Sequence, residues 1–275
     1  MKISIITINY NNVEGLKRTI ESVVNQTSKD YEYIIIDGGS TDGSVDVIKL
    51  YSNRIDYWES EPDRGIYHAM NKGVKVATGE YVIFMNSGDK FYSNEIIADF
   101  IKLNPKEDIL SGDAKLSTGS IMNSPENITF KFFYDEGLCH QTCFIRTELQ
   151  KAHLYNENLS IVSDWEFFIK VLILENASYR KLTNIISMYD CNGISSNNLE
   201  LHHKERKDVL EKYFSKRILI DYERHIKDDF RRLFFYIEKS HFHRLIYVIN
   251  VLLIKFISIF TGAKWIRTFK LKESR

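Results

Sequence analysis

Cysteine is scarce in this chain: Cys139, Cys143 and Cys191 are the only three in 275 residues. They form no CxxC pair and their number is odd. Neither a disulfide framework nor a cysteine zinc site is expected, and the usage fits a reducing cytoplasm. Proline is as rare, also three, so the turns rely on Gly, Asn and Ser. Net charge is absent too, because 37 Lys and Arg balance 37 Asp and Glu. A general nucleic-acid binder carries a basic excess, so no nucleic-acid partner is expected. No secretory leader is expected at the start. Met1-Lys2 runs straight into Ile3-Ser4-Ile5-Ile6-Thr7-Ile8, which is too short for a leader's apolar region and predicts a strand. There is no internal repeat and no low-complexity tract.

What is present is the material of a folded core. The apolar fraction is 44% and the aromatic fraction 13%, outside the range of disordered chains. The length suits one large domain or a domain with an appendage.

Residues 3–8 are apolar on both faces, as in a buried parallel strand. Asn9-Tyr10-Asn11-Asn12 follows as a polar turn. Leu16, Ile20, Val23 and Val24 then recur at helical spacing. Tyr31 to Ile36 predicts a second strand ending at Asp37. Gly38 to Ser44 is a turn with capping residues, and Val45 to Tyr51 a helix. Ile55-Asp56-Tyr57-Trp58 predicts a short third strand. Ile66 to Ala77 predicts a helix, and Tyr81 to Met85 a fourth strand ending in Asn86-Ser87-Gly88-Asp89. Alternating strands and helices imply a doubly wound α/β sheet over the first ~100 residues. Ligands bind such sheets at the carboxyl ends of the strands. Residues 9–12, 37–44 and 86–89 all fall there. Beyond residue 105 the pattern loosens. Strands are expected at 108–113, 142–145 and 177–189, with an apolar helix from Asp164 to Glu175. A charged helical region is expected over 200–239.

Three carboxylates stand out. Asp89, beside a glycine that lets backbone approach closely, suits a hard divalent cation bridging a diphosphate. The same four residues also read as a loop cap. Asp37 can accept from a base or ribose donor, whereas capping of the next helix needs only Ser40, Thr41 or Asp42. Asp164 opens a helix, where free N–H groups keep a carboxylate ionised. It serves as a base if burial returns its pKa toward working pH. On the residues alone, a plain helix cap is the stronger reading of Asp164, and a structural loop residue that of His140.

Taken together these segments resemble family 2 of the inverting glycosyltransferases, with the GT-A fold. The stretches that carry the resemblance are Ser4 to Asn11, Ile36 to Ser44, Glu61-Pro62-Asp63-Arg64-Gly65 to Gly73, and Ala77 to Tyr81. Asn86 to Asp89, His140-Gln141 and Ser163-Asp164-Trp165-Glu166 complete the set. It covers roughly residues 2–200, and its specificity lies in the order and spacing of several motifs. The resemblance implies a mainly parallel mixed sheet flanked by helices. It implies a catalytic domain at 1–200, with a nucleotide-binding half at 1–100 and an acceptor half at 101–200. A helical extension fills 201–275. Thr7, Asn9 and Asp37 would line the nucleotide pocket, joined by Asp63 and Arg64. Asn86 and Asp89 fall at the family's metal motif, which would hold Mn²⁺ or Mg²⁺. His140, Gln141 and Trp165 would lie near donor sugar and acceptor, and Asp164 would be the general base. The reaction implied is an inverting transfer from a nucleotide-sugar, with UDP the family-level base, to a glycan or polyprenyl-linked glycan in bacterial surface-polysaccharide biosynthesis.

The sequence departs from the family at the metal motif. A DxD motif carries Asp at 86 and 88, and this chain has Asn86 and Gly88. Related bacterial polysaccharide transferases share the Asn-Ser-Gly-Asp form. His202 and His203 are candidates for a further metal ligand. Two other functions stay open. A nucleotidyltransferase would show a basic Gly-rich loop after the first strand. A degenerate nucleotide-sugar-binding subunit would lack turnover.

The C-terminal run from Leu245 to Phe260 is apolar but shorter than the ~20 residues a spanning helix needs. Asn250 and Lys255 interrupt it. Lys264, Arg267, Lys270, Lys272 and Arg275 follow, with Trp265 among them. Residues 244–275 fit either a helix on the cytoplasmic face of an inner membrane or a helix packed on the domain or in a homodimer.

Overall fold

The computed structural model describes residues 2–189, 198–223, 249 and 252–253. Residues 1–212 and 213–275 form two compact units. In the first unit, β1 (Ile3–Asn9), β2 (Tyr31–Asp37) and β4 (Tyr81–Phe84) are buried along their whole length. That burial on both faces is why they read as unbroken apolar runs. β3 (Tyr57–Ser60) is the edge strand and is mostly half-buried. The helices α1 (Val13–Val24), α2 (Ser44–Leu50) and α3 (Ile66–Val76) connect them. The four strands pair in parallel in the order β3-β2-β1-β4.

Helix α1 starts where the Asn12 side chain accepts from Gly15 N, and Leu16, Ile20, Val23 and Val24 bury its inner face. Each such aliphatic side chain contributes about 1.5–3 kcal/mol by leaving water. Helix α3 comes closer to the sheet. A methyl on Gly73 would lie 2.5 Å from Ile6 Cγ2, so only glycine permits this spacing.

The second half completes a mixed nine-stranded sheet. β5 (Lys90–Phe91) and α4 (Ile96–Leu103) come first, then β6 (Ile109–Leu116) and β7 (Ile121–Met122). α5 (Phe130–Asp135), a 3₁₀ turn at His140–Thr142 and β8 (Cys143–Arg146) follow. β8 lies antiparallel between β4 and β6. After α6 (Thr147–Ala152) comes α7 (Ser163–Phe168), which continues as a π-helical turn at Ile169–Leu174. β9 (Tyr179–Tyr189) runs parallel to β6, with register shifts near Asp113. α8 (Leu199–Tyr213) ends the unit.

The α/β class and the flanking helices match the expectation, as does the helical reading of the described residues 201–213 and 216–223 of the C-terminal extension. The parallel pairing is concentrated in the first four strands, and the later half joins them antiparallel. β3 starts two residues later than the sequence predicts. The second unit is helical over 216–223. Most of the apolar run at 245–260, all of the basic tail and Cys191 lie outside the described residues. No helix among the described residues is long and apolar enough to cross a membrane.

Candidate active site

Strand pairing sets Asn9 beside Asp37 and Asp37 beside Ser60. Asp37 is fully buried. Its Oδ1 accepts from Asn9 Nδ2 (2.7 Å) and Ser40 Oγ (2.6 Å). Its Oδ2 accepts from Ser40 N (2.9 Å) and Ser60 Oγ (2.6 Å). Burial raises its pKa, but the bonds from Ser40, Ser60 and Asn9 outweigh that and hold the carboxyl below its ordinary value. Asp37 thus knits three strand ends together, and its oxygens are already engaged. Asn9 is oriented in consequence. Its amide nitrogen is spent on Asp37 and Ser40, while its buried Oδ1 has no partner. A buried orphan acceptor is costly, and at a strand's carboxyl end it is placed to meet a ligand donor. Thr7 is fully buried, its hydroxyl donating to Met85 O (2.7 Å) beside Tyr33 Oη. It braces β1 against the end of β4.

Asp63 approaches the same place. A methyl on Gly38 would lie 2.7 Å from Asp63 Oδ2 and 3.2 Å from the Tyr10 ring. Gly38 therefore lets both side chains close over the end of β2. Tyr10 is 67% exposed, an aromatic face with no packing duty, which the reading of the polar turn passed over. Arg64 is exposed and donates to Glu157 Oε2 (2.6 Å). An exposed pair of this kind is worth at most about 1 kcal/mol, so an anionic ligand can compete for the guanidinium.

The loop after β4 is held from α1. The Thr19 hydroxyl accepts from Gly88 N (3.0 Å) and donates to Asp89 O (2.6 Å). Asp89 is buried, and its Oδ2 accepts from Gln141 Nε2 (3.2 Å). Asn86 Oδ1 is a second buried acceptor without a partner. The donor set therefore offers one carboxylate and one amide oxygen, both hard ligands. Among the described residues, no three His, Cys, Asp or Glu side chains gather to hold a metal. His202 and His203 accordingly do not assemble with Asp89 into such a cluster.

Asn86 leads to the acceptor half. Its Nδ2 lies 3.1 Å from His140 Nε2, and His140 Nδ1 lies 3.0 Å from Asp164 Oδ2. An amide nitrogen donates and an ionised carboxylate accepts. These roles assign His140 as the neutral imidazole with its proton on Nδ1. The assignment rests on that orientation of the Asn86 amide. Asp164 Oδ1 meets Tyr67 Oη at 2.9 Å. Burial raises the Asp164 pKa, but the hydrogen bonds from His140 and the Tyr67 hydroxyl outweigh it, and the net shift is downward. The sequence reading looked to burial to lift this group, and the structure gives the opposite balance. Asp164 stays 19% exposed at the side chain, so it is ionised and open to a reactant.

Trp165 is occupied by packing. It is 7% exposed, its Nε1 donates to Phe133 O and Glu136 O, and the Arg206 guanidinium lies 4.4 Å from its ring centroid. This ring is part of the support around Asp164, not a polar contact offered to a ligand. The structure thus brings together Asn9, Asp37 and Asp63 with Gly38 and Tyr10. It separately links Asn86, His140, Asp164 and Tyr67.

Comparison with known proteins adds findings of three kinds. Residues 4–107 match the model described as glycosyl transferase family 2. An uncharacterized glycosyltransferase of Mycobacterium tuberculosis is 30% identical over 204 residues, spanning 70% of this chain and 77% of that one. A PGL/p-HBAD biosynthesis glycosyltransferase of Mycobacterium bovis is 27% identical over 203 residues, spanning 71% and 79%. Among solved structures, S. aureus TarS 1-349 superposes with a TM-score of 0.60 at 22% identity, covering 69% of this chain and 60% of that one. The same protein in complex with UDP gives 0.61 at 19% identity, covering 79% and 76%. A Pyrobaculum calidifontis mannosyltransferase in complex with GDP-Man and Mn²⁺ gives 0.55 at 14% identity, covering 72% and 59%. At these identities the solved structures speak for the fold.

Proposed function

The chain belongs to glycosyltransferase family 2, and from that premise we propose an inverting transfer from a UDP-sugar to a hydroxyl of a glycan or lipid-linked glycan. The observation that carries this reading is the bonded path from Asn86 through His140 to Asp164, which ties the loop after β4 to an ionised carboxylate. The nucleoside of the donor occupies the strand ends. Asn9 Oδ1 accepts from base or ribose, Tyr10 and Asp63 flank it, and Asp37 holds Asn9 in place while Thr7 braces the floor. Arg64 turns from Glu157 to the diphosphate. A complex of UDP with a protein of this fold supports the choice of base.

The donor set at 86–89 fits a divalent cation. Mg²⁺ and similar ions bind through one or two protein oxygens and complete their shell with phosphates and water. Asp89 and Asn86 Oδ1 would hold it, and when bound it would neutralise charge on the leaving diphosphate. A mannosyltransferase of this fold with Mn²⁺ supports the analogy.

Asp164 takes the proton of the acceptor hydroxyl as that oxygen attacks the anomeric carbon from the face opposite the diphosphate. Its lowered pKa keeps it ready but weakens its pull, so proton transfer accompanies bond formation. His140, with its proton on Nδ1, and Tyr67 hold the carboxylate in line. Gln141 orients Asp89 toward the donor. A thermal-shift screen of UDP, GDP, ADP and TDP, each with and without Mn²⁺, tests the nucleotide and metal together, because ligands that bind only the folded state raise Tm. A shift with UDP that grows with Mn²⁺ is expected. Asp164→Asn should keep that shift and lose turnover by about 10²–10⁴-fold, the range of a general base. Full turnover in Asp164→Asn would sink the base assignment.

A further inference from the structure

Helix α8 reads in sequence as a solvated charged helix, Leu199 to Tyr213, yet Glu205 on it is 6% exposed. Its carboxylate faces the backbone just before α7. Glu205 Oε1 accepts from Ser160 N (2.7 Å), and Oε2 accepts from Ile161 N (2.9 Å) and Val162 N (3.2 Å). Three consecutive N–H groups close on one buried carboxylate. Charge-assisted bonds of this kind are roughly twice as strong as neutral ones.

The grip continues to Asp164. The carbonyl of Ile161, whose N–H is held by Glu205, accepts from Tyr67 Oη at 2.6 Å. The same Tyr67 hydroxyl lies 2.9 Å from Asp164 Oδ1. The peptide at Ile161 is thus fixed on one side by α8 and on the other by the residue that touches Asp164. Neighbours of Glu205 add to the hold. Arg206 donates to Phe133 O, Tyr134 O and Glu136 O and covers the Trp165 ring, and Lys212 pairs with Glu166 at 2.7 Å.

We propose that Glu205 is a positioning residue for Asp164, acting through the Ser160–Val162 backbone and Tyr67 to set the carboxylate's place. This rests on the reading of Asp164 as the base. Glu205 does not touch a reactant. Its effect is geometric, and an ångström of misplacement from a remote change can cost a hundredfold in rate. The nucleotide-facing strand ends are held by other bonds, through Asp37 and Thr19, so donor affinity is independent of Glu205.

The test uses the full chain with Glu205→Gln, Glu205→Ala and Asp164→Asn. Glutamine keeps the shape but turns an NH₂ toward one of the N–H groups. Turnover is read as nucleoside diphosphate released from UDP- and GDP-sugars, and affinity as the Kd of UDP or GDP by calorimetry. In Glu205→Gln, kcat is expected to fall about tenfold and in Glu205→Ala further. KM for the donor and Kd for the nucleotide should stay within about twofold, and the calorimetric binding stoichiometry should stay that of the parent, which separates a slower enzyme from a smaller folded fraction. Unchanged kcat in Glu205→Gln, with Asp164→Asn inactive, overturns the positioning role and leaves the base. A Kd that worsens in step with kcat also overturns it, since the effect is then on the whole fold. Full turnover in Asp164→Asn overturns both. If Glu205→Ala fails to fold, Glu205→Gln alone decides.

Discussion

Asp37 is sealed and Asp164 is partly open, and that difference governs what each can do. Four internal donors saturate Asp37. Asp37→Asn would turn an NH₂ toward some of them, leaving buried donors opposed. The expected cost is about 1–3 kcal/mol, read by urea denaturation. The pH dependence has a definite sign. The folded pKa is lowered, so the unfolded chain binds more protons in the acid range and stability rises with pH there. The contribution of Asp37 is full above the unfolded value of about 3.9 and is lost as pH falls through the lower folded value. Asp37→Asn should flatten the acid limb of stability, which a denaturation series from pH 6 downward would measure. Glu32 has a folded pKa displaced the same way, with burial again overcome by bonds from Ser4, Thr78 and Gly79, so some acid sensitivity should survive in the variant.

Helix α3 shows what packing at glycine distance implies for an element. Gly73→Ala gains about 1 kcal/mol of helix propensity. The added methyl meets Ile6 Cγ2 at 2.5 Å, a branch too near its own backbone to swing away, and overpacking costs about 1–3 kcal/mol. The net expectation is a lower Tm, checked by thermal unfolding; a rise would show that α3 lifts freely from the sheet. Elements such as β1, β2 and β4 were legible because burial on both faces leaves an unbroken apolar signature. β3 was misplaced by two residues because an edge strand of Tyr, Trp, Glu and Ser carries no such pattern. β5 and β7, two residues each, exist only through their partners. Nothing in Ile169–Leu174 announces a π turn. The site divides in the same way. Asn9 and Asp37 stand at strand ends that the alternating pattern locates, whereas Asp164 on its residues alone reads as a helix cap and enters the proposed site through the family resemblance. Tyr67 lies in a stretch that reads as helix and motif, and nothing in the sequence singles it out. Glu205 looked like one charge among many, since its burial is created by a loop distant in sequence.

At the scale of the whole molecule, the first compact unit runs to Lys212. A chain ending at residue 223 keeps every bond described between α8 and the site. It is expected to bind UDP with unchanged affinity. A chain ending at residue 198 strands the N–H groups of 160–162 and the carbonyls of 133–136. It should melt at lower temperature and lose turnover, which calorimetry and nucleotide release would compare directly. Deleting residues 240–275 decides between the two readings of the tail: on the membrane-facing one the protein leaves the membrane fraction. Unchanged fractionation would reject that role.

The hold of α8 on Asp164 also sets an order in time. On the ribosome, Asn9, Asp37 and Asp89 are all made before Glu205 emerges. At about 5–20 residues per second, the interval between Asp89 and Glu205 is on the order of ten seconds. Asp164 is itself made late in that interval, and Glu205 closes it. On the proposed reading, the parts of the site that meet the nucleotide are made first, the base later, and the residue that positions the base last.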